Sequence, residues 1–189
     1  AIRSLVTAAG FAAPFRRPQE LAGDTVSTRA VVEHAIEYLL GRGASPDSHF
    51  CTVYPTAVLV RKEDIETART LLSPGVCDFV FSAVRSPGEI ERAWRRGSDG
   101  LAEPIDSHAQ LTPSQDFGPA YFDAGQFYWT TRHGWTEHYS ERGRNSKLFE
   151  LSALDAVDVN TERDWEMLEE LFVKRSAPDS VQESGSSAG

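Results

Sequence analysis

The chain has 189 residues, a length that suits one domain, and the 40% that are apolar can fill a core. Its 28 acidic and 19 basic residues give a net charge of −9, which argues against general binding to nucleic acid or anionic membranes, because both need a concentrated basic face. No apolar run approaches the roughly 18 residues of a membrane span, and the first residues lack the features of a signal peptide. Two cysteines without a C-x-x-C motif complete the prediction of a cytoplasmic protein with two buried, reduced thiols.

Predicted helices and strands alternate along the chain. Apolar residues at helical spacing predict helices at residues 1–11, 31–40 and 63–72, and a fourth that begins after Thr161. Apolar runs predict strands at residues 50–54, 79–84, 124–131, 149–151 and 157–159. Continuous apolar strands that alternate with helices indicate an α/β fold, with a mostly parallel sheet covered by helices on both faces.

The last predicted helix has the clearest start. Thr161 is a suitable N-cap, and Asp164 can return a hydrogen bond to the N–H of that cap. The predicted buried stripe of this helix consists of Trp165, Leu168, Leu171 and Phe172. Residues 176–189 contain one β-branched apolar residue and no aromatic residue, so we expect a disordered tail after a folded domain of residues 1–175.

Residues 85–119 interrupt the regular pattern with Pro, Gly, Ser and charged residues. This stretch is too long for a simple loop inside a compact domain. It is therefore either functional in itself, or an inserted subdomain that packs on something outside this chain.

Three polar segments are expected to meet at one edge of the sheet. Ligands of open α/β sheets bind beyond the carboxyl ends of the strands, and residues 54–57, 123–126 and 158–161 lie at such ends. Asp158 and Asn160 alternate along the chain, so their side chains face one side and offer oxygen ligands for Mg²⁺. The alternative is that both are turn residues before the last helix. The N–H groups at the start of that helix favour a phosphate nearby.

The aromatic segment at residues 121–129 is the most unusual part of the sequence. Phe127 and Trp129 are expected in the core, and alternation then turns Gln126 and Tyr128 to the other face, where they can hold a sugar. Core packing of the whole segment is the alternative. The sequence contains no P-loop, G-x-G-x-x-G or G-x-S-x-G motif, and no histidine has metal-ligand spacing with a cysteine.

Five motifs, in order along the chain, together resemble the acylneuraminate cytidylyltransferase family (CMP-sialic acid synthetases), and within it the pseudaminic acid cytidylyltransferases of bacterial surface-glycan pathways. The motifs are RRPQELAGD at 16–24, YPTA at 54–57, SQD at 114–116, DAGQFYW at 123–129 and DVNTERDW at 158–165. The resemblance implies the three-layer, Rossmann-like fold of nucleotide-diphospho-sugar transferases.

The same resemblance implies an enzyme that transfers CMP from CTP to a nine-carbon α-keto acid sugar of the pseudaminic or sialic acid type, with Mg²⁺ as cofactor and pyrophosphate as the second product. The implied roles are catalysis for Asp158, metal binding for Asp158 and Asn160, nucleotide contacts for Arg17 and Thr28, and sugar contacts for Tyr54 and Tyr128. Gln126 joins the sugar site by the alternation argument alone. Residues 85–119 correspond to the element through which such proteins form homodimers and complete the sugar site of the neighbouring copy.

Three departures from the family pattern qualify these roles. The opening strand and the basic, glycine-rich loop that cradles the CTP phosphates are not found, so we expect a fold that lacks its first strands and a 189-residue chain that is weakly active or inactive alone. Asn160 stands where a second acid is usual, which weakens metal affinity. Pro113 stands where relatives carry arginine, which removes one cationic contact to an acidic sugar or a phosphate.

Two other functions fit parts of the sequence. A non-catalytic remnant that only dimerises or binds nucleotide is consistent with Asn160 and Pro113. A different nucleotidyltransferase that activates another sugar shares the sheet and the metal position, but the DAGQFYW motif gives it no support.

Overall fold

The computed structural model describes residues 2–23, 25–138 and 145–176, without the side chains of residues 137 and 138. The helices are α1 (Ile2–Ala8), α2 (Thr28–Gly41), α3 (Lys62–Arg69), α4 (Arg132–His138) and α5 (Glu162–Ser176). The strands are β1 (Phe50–Val53), β2 (Phe79–Arg85), β3 (Trp94–Arg96), β4 (Ala102–Pro104), β5 (Tyr121–Thr130) and β6 (Ser146–Leu151). The alternation of helices and strands confirms the α/β class.

The main sheet has the strand order β1-β5-β2-β6. Strand β5 runs antiparallel to both β1 and β2, and only β2 and β6 pair in parallel. The predicted mostly parallel sheet is therefore wrong for the described residues. Strands β1, β2 and β6 do point the same way, but β5 inserts between the first two in the opposite direction. Because β5 is buried on both faces, its sequence resembles that of a parallel strand and does not reveal its direction.

Apolar clusters cover both faces of this sheet. On one face, Ala68 of α3 packs with Val80 and Phe127. On the other, Ile36 of α2 and Trp135 of α4 pack with strand residues. The clusters draw alternate residues from each strand, as the pleat requires, so helices cover the sheet on two sides.

Helix α5 adds a third, smaller cluster through Leu168, which packs with Leu59 and Val157. Two predictions about this region are wrong. Residues 157–159 form no strand, and Trp165 and Phe172, expected in the buried stripe, are 46% and 49% exposed. Because α5 touches the domain along one narrow line through Leu168 and Leu171, apolar spacing overstates how much of the helix is covered.

Residues 85–119 do not form a core of their own. They contain the β3–β4 hairpin and three 3₁₀ turns, Ile90–Arg92, Ala109–Leu111 and Ser114–Asp116. Between residues 86 and 119, only Ala109 is buried. The segment predicted to be irregular is thus a connection between β2 and β5 that is built from short elements. The disordered tail predicted from residue 176 lies, apart from Ser176 itself, outside the described residues.

Both cysteines are free thiols, as predicted, although only Cys77 is fully buried. Burial raises the pKa of Cys51 to about 11, so this thiol stays protonated and unreactive at neutral pH. In the described part of the chain, no helix is long and apolar enough to cross a membrane.

Gly134 of α4 tests how tightly the fold is packed. A Cβ at this position would lie 2.0 Å from the backbone oxygen of Asp78 and 2.8 Å from the hydroxyl of Thr130. Alanine normally stabilises a helix over glycine by roughly 0.5–1 kcal/mol. We expect the opposite here, with Gly134→Ala lowering the free energy of unfolding by about 3 kcal/mol because the helix must move away from the sheet. Urea denaturation measures the change. Gly118→Ala, where no atom lies within 4 Å of the added carbon, is the control, and equal stability of the two variants would contradict the packing.

Candidate active site

A cavity of about 460 Å³ lies at the carboxyl ends of β1 and β2. Its lining residues are Tyr54, Pro55, Thr56, Asp123, Gly125, Tyr128, Asp158, Val159 and Asn160. The three polar segments expected at this edge of the sheet therefore do meet. The pairing explains why. The first residues of β5 lie beside the carboxyl end of β2, and Phe127 further along β5 pairs with Val53, the last residue of β1. Strand β6 runs parallel to β2 and ends at the same edge, before the chain continues to α5.

A wide bulge in β5 shapes the floor of the cavity. Phe81 of β2 pairs with Tyr128, whereas Ala83 pairs with Asp123, so the single residue Ser82 faces residues 124–127. The hydroxyl of buried Ser82 accepts hydrogen bonds from two N–H groups of the bulge, those of residues 126 (3.2 Å) and 127 (3.1 Å). The bulge is thus held by specific bonds, and it directs Asp123 and Gly125 toward the cavity.

Gln126 lies behind the cavity wall rather than in it. Its side chain is 1% exposed, and its amide nitrogen donates to the carbonyl oxygens of Ala124 (2.8 Å) and Val157 (3.1 Å). The predicted alternation fails here because the bulge breaks the two-residue repeat between positions 123 and 128. This placement argues against a direct ligand contact for Gln126 and gives it a structural function.

Tyr128 and Asp123 form a hydrogen-bonded pair on the cavity. The Tyr128 hydroxyl lies 3.1 and 3.0 Å from the two carboxylate oxygens of Asp123, and the N–H of Gly125 donates to the same carboxylate at 3.0 Å. The ring of Tyr128 is packed in the core against Phe79 and Trp135. Sequence reasoning missed Asp123 as a site residue, although it opens the DAGQFYW motif.

Tyr54 forms the opposite wall. Its ring meets the ring of Tyr128 edge to face, with centroids 5.7 Å apart, and its hydroxyl donates to the hydroxyl of Thr28 at 3.0 Å. Thr28 is the first residue of α2, whose N-cap is Ser27. The structure thus joins a residue expected to contact nucleotide to one expected to contact sugar.

Asp158 and Asn160 stand side by side on exposed chain before α5. The amide nitrogen of Asn160 donates to a carboxylate oxygen of Asp158 at 3.0 Å. A Cβ on Gly125 would lie 3.4 Å from the other Asp158 oxygen, and the φ of +60° at Gly125 is one that side chains disfavour. Glycine therefore lets the β5 bulge approach this carboxylate closely.

The start of α5 is occupied by its own carboxylate. Asp164 accepts hydrogen bonds from the Thr161 hydroxyl (2.8 Å), the Thr161 N–H (2.8 Å) and the Asn160 N–H (3.1 Å), which confirms the predicted capping box. The Thr161 hydroxyl and these two N–H groups lower the pKa of Asp164. Because the donors are already used, the structure gives no support to the phosphate expected at this helix start.

The lining offers oxygen ligands but few acids. Asp123, Asp158 and Asn160 bring two carboxylates and an amide to the cavity. Across the described ranges, no group of three or more His, Cys, Asp or Glu residues is suited to a metal ion. Two carboxylates with an amide nonetheless match Mg²⁺, which keeps several waters and binds substrate phosphate as well.

Arg17 lies apart from this cavity. It lines a separate depression of about 440 Å³ with Arg16, Pro18, Gln19 and Ala22. The structure thus brings together Tyr54, Tyr128, Asp158 and Asn160, with Thr28 bonded to Tyr54. The nucleotide contact of Arg17 stays a prediction.

Comparison with characterised proteins gives this site its context. A pseudaminic acid cytidylyltransferase of Campylobacter jejuni subsp. jejuni serotype O:2 is 32% identical over 163 residues, which are 86% of this chain and 70% of the relative. The pseudaminic acid cytidylyltransferase of serotype O:23/36 is 31% identical over the same shares of the two chains. No protein-family model matches the sequence.

Identity of this extent places the α/β domain among the nucleotidyltransferases, and within them among the cytidylyltransferases. The chain belongs to the pseudaminic acid cytidylyltransferase family. The resemblance carried by the five sequence motifs is thereby confirmed.

The Asp164 cap generates a prediction about acid stability. Because its pKa is lower in the folded chain than the ordinary value of 3.8, the carboxylate stabilises the fold above that pH and loses this contribution as the pH falls below it. We expect Asp164→Asn to lower the free energy of unfolding at pH 7, with a difference from the wild type that shrinks below about pH 4. Urea denaturation between pH 3 and 7 measures this, with Glu169→Gln in the middle of the same helix as the control. A difference that does not change with pH would contradict the role of the charge.

Proposed function

We propose that the cavity between β1, the β5 bulge and the start of α5 binds a nonulosonic acid, and that the protein transfers CMP to this sugar from CTP. The supporting observation is the combination of family membership with a cavity that gathers Tyr54, Tyr128 and Asp158. The relatives are named for pseudaminic acid, which makes that sugar the first substrate to test. Since the reaction consumes CTP, we place it in the cytoplasm.

The proposed reaction is a single displacement at phosphorus. The anomeric hydroxyl of the sugar attacks the α-phosphorus of CTP, an oxygen–phosphorus bond forms, and the bond between the α- and β-phosphates breaks. Pyrophosphate leaves with the bridging oxygen, and the proton of the attacking hydroxyl passes to solvent. Such transfers depend mainly on positioning and on neutralising charge.

The two tyrosines supply the positioning. Tyr128 is fixed by core packing around its ring and by Asp123 at its hydroxyl, so it presents a rigid edge to the ligand. The ring of Tyr54 packs against the same core cluster, and its hydroxyl is held by the hydroxyl of Thr28. Aromatic rings with restrained hydroxyls pack against the apolar face of a sugar and hydrogen-bond its polar groups.

Asp158 and Asn160 are the residues that would hold Mg²⁺. When bound, the metal would neutralise charge on the phosphates of CTP. Asp158 contributes the charge of this pair, and the amide of Asn160 contributes an uncharged oxygen. We therefore propose Asp158 as the catalytic residue and expect weaker metal affinity than two acids would give.

Substitution of Asp158 tests the metal site. We expect Asp158→Asn, in the protein expressed from its complete open reading frame, to lower the Mg²⁺-dependent rate of CMP-sugar formation at least 100-fold, since each carboxylate of so sparse a site matters. Pyrophosphate release with CTP and pseudaminic acid measures the rate, and removal of Mg²⁺ with a chelator should abolish it. Asp47→Asn, in the exposed loop before β1, is the matched control.

Unchanged turnover in Asp158→Asn would remove Asp158 from the site. No turnover by the wild type with any nonulosonic acid would favour the alternative, a protein that only dimerises or binds nucleotide.

Residues 85–119 support a second part of the proposal, a homodimer. Five large apolar side chains of this segment, here called the insertion patch, are 40–88% exposed: Ile90, Trp94, Leu101, Ile105 and Leu111. Exposed apolar side chains gathered in a segment that lacks its own core favour burial against a partner. We propose that the partner is a second copy of the chain.

Sedimentation velocity tests the dimer. At micromolar concentration we expect the wild type to sediment as a dimer and Leu111→Asp to shift it toward monomer, because a charge at the most exposed residue of the insertion patch opposes burial. Leu154→Asp, which changes an exposed leucine elsewhere, should leave the dimer intact. A monomeric wild type would contradict the proposal.

A further inference from the structure

The hydrogen bond between Tyr128 and Asp123 fixes a proton as well as a ring. The hydroxyl of Tyr128 lies 3.1 and 3.0 Å from the two carboxylate oxygens of Asp123. A carboxylate accepts hydrogen bonds and donates none, so the proton of this bond belongs to the tyrosine. Because a hydroxyl has a single proton, the oxygen of Tyr128 then has only lone pairs to offer a ligand in the cavity.

Asp123 is itself held in place. Its carboxylate accepts the backbone N–H of Gly125 at 3.0 Å, a bond from an aspartate side chain to the backbone two residues further on. A hydroxyl that donates to a charged carboxylate is bound more strongly than one that donates to a neutral oxygen. The proton of Tyr128 therefore points at Asp123 and not into the cavity.

The ring of Tyr128 cannot turn away from this carboxylate. Tyr128 is 4% exposed, and its ring packs in the core against Phe79 and Trp135, with centroids 5.8 and 6.4 Å away. The ring of Tyr54 closes the remaining side at 5.7 Å. The hydroxyl oxygen is thus fixed at one point of the cavity wall, with the direction of its proton fixed as well.

The charges around this oxygen also favour a hydrogen-bond donor. Two acids flank Gly125, since Asp123 accepts its N–H and a Cβ at this glycine would lie 3.4 Å from an oxygen of Asp158. Among the described residues that line the cavity, none is lysine, arginine or histidine. An acceptor on the ligand, such as a carbonyl oxygen, would meet lone pairs and two negative charges here, whereas the positive end of an O–H or N–H group is attracted.

We infer that Asp123 is a positioning residue that makes the Tyr128 hydroxyl a hydrogen-bond acceptor, and that the site thereby selects a sugar with a hydroxyl or an amide N–H at this point. The inference rests on the proposed function, because it describes one contact of the sugar in that site. Asp123 acts on the ligand through Tyr128. A site built to bond such a donor rejects an analogue without it, because the buried oxygen is then left unpaired.

Asparagine at position 123 reverses this arrangement and so tests it. Its amide oxygen can still accept the N–H of Gly125, while its amide nitrogen donates to Tyr128 and turns the hydroxyl proton into the cavity. In protein expressed from the complete open reading frame, calorimetry measures the Kd of pseudaminic acid. We expect Asp123→Asn to weaken binding about 10-fold and Tyr128→Phe about 3- to 10-fold, and Asp123→Asn to cause no further loss in the Tyr128→Phe background. Asp47→Asn, in the exposed loop before β1, is the control.

Three results would overturn the inference. An equal loss from Asp123→Asn in both backgrounds would mean that Asp123 touches the sugar itself or only supports the fold. A higher Mg²⁺ concentration for half-maximal turnover, with unchanged binding of the sugar, would make Asp123 a metal ligand. Unchanged binding in Tyr128→Phe would show that the oxygen accepts no bond from the sugar.

The proposed function can fail separately. Binding of the sugar by the wild type without CMP transfer would contradict the proposed reaction alone, because the binding comparison still decides the role of Asp123. No binding of any nonulosonic acid would contradict both.

Discussion

The arrangement of the candidate site depends on the hydrogen bonds of one buried residue, Gln126. Its backbone N–H donates to the hydroxyl of Ser82 in β2, and its backbone carbonyl oxygen accepts from the N–H of Tyr54 after β1. Its side-chain amide nitrogen donates to the backbone carbonyl oxygen of Val157 before α5. These partners belong to three segments that are far apart in sequence and adjacent at the cavity. Since a buried amide that loses its partners costs more than an ordinary hydrogen bond contributes, the three segments are held in one geometry.

This arrangement separates residues that hold the site from residues that face the ligand. Ser82 and Gln126 are buried and use their polar atoms within the protein. The residues that line the cavity itself include Asp123, Tyr128 and Asp158. The bulge makes this possible, because it places four residues of β5 opposite one of β2 and so turns neighbouring side chains in unrelated directions.

The bulge also marks the limit of what the sequence could predict. The four predicted helices (α1, α2, α3 and α5), four of the five predicted strands (β1, β2, β5 and β6) and the meeting of the three polar segments follow from periodicity and from the general position of sites in α/β sheets. A sequence period cannot reveal that β5 runs antiparallel, because a strand buried on both faces looks the same in either direction.

The wrong prediction that Gln126 faces the sugar site has a different cause. Strict alternation predicted that Gln126 shares a face with Tyr128, and no local signal other than Gly125 announces that the repeat is interrupted there. Asp123 was missed because its importance depends on a contact with Tyr128, which exists only once the strand has bulged. Local patterns therefore located the site, while the identity of the residues that face it required the long-range pairing.

The position of β5 between β1 and β2 also governs the order in which the chain can fold. Neither β1 nor β2 pairs with the other, so every ladder of the main sheet requires residues from position 121 onward. During synthesis, β1 and β2 therefore find no partner among the described strands until β5 has been made, and unpaired apolar strands are prone to aggregate. Among the strand ladders of the described residues, the β3–β4 hairpin is the one that is local in sequence, and it can form early. The segment between β2 and β5 therefore delays assembly of the main sheet, and it also contains a hairpin that can form before that sheet.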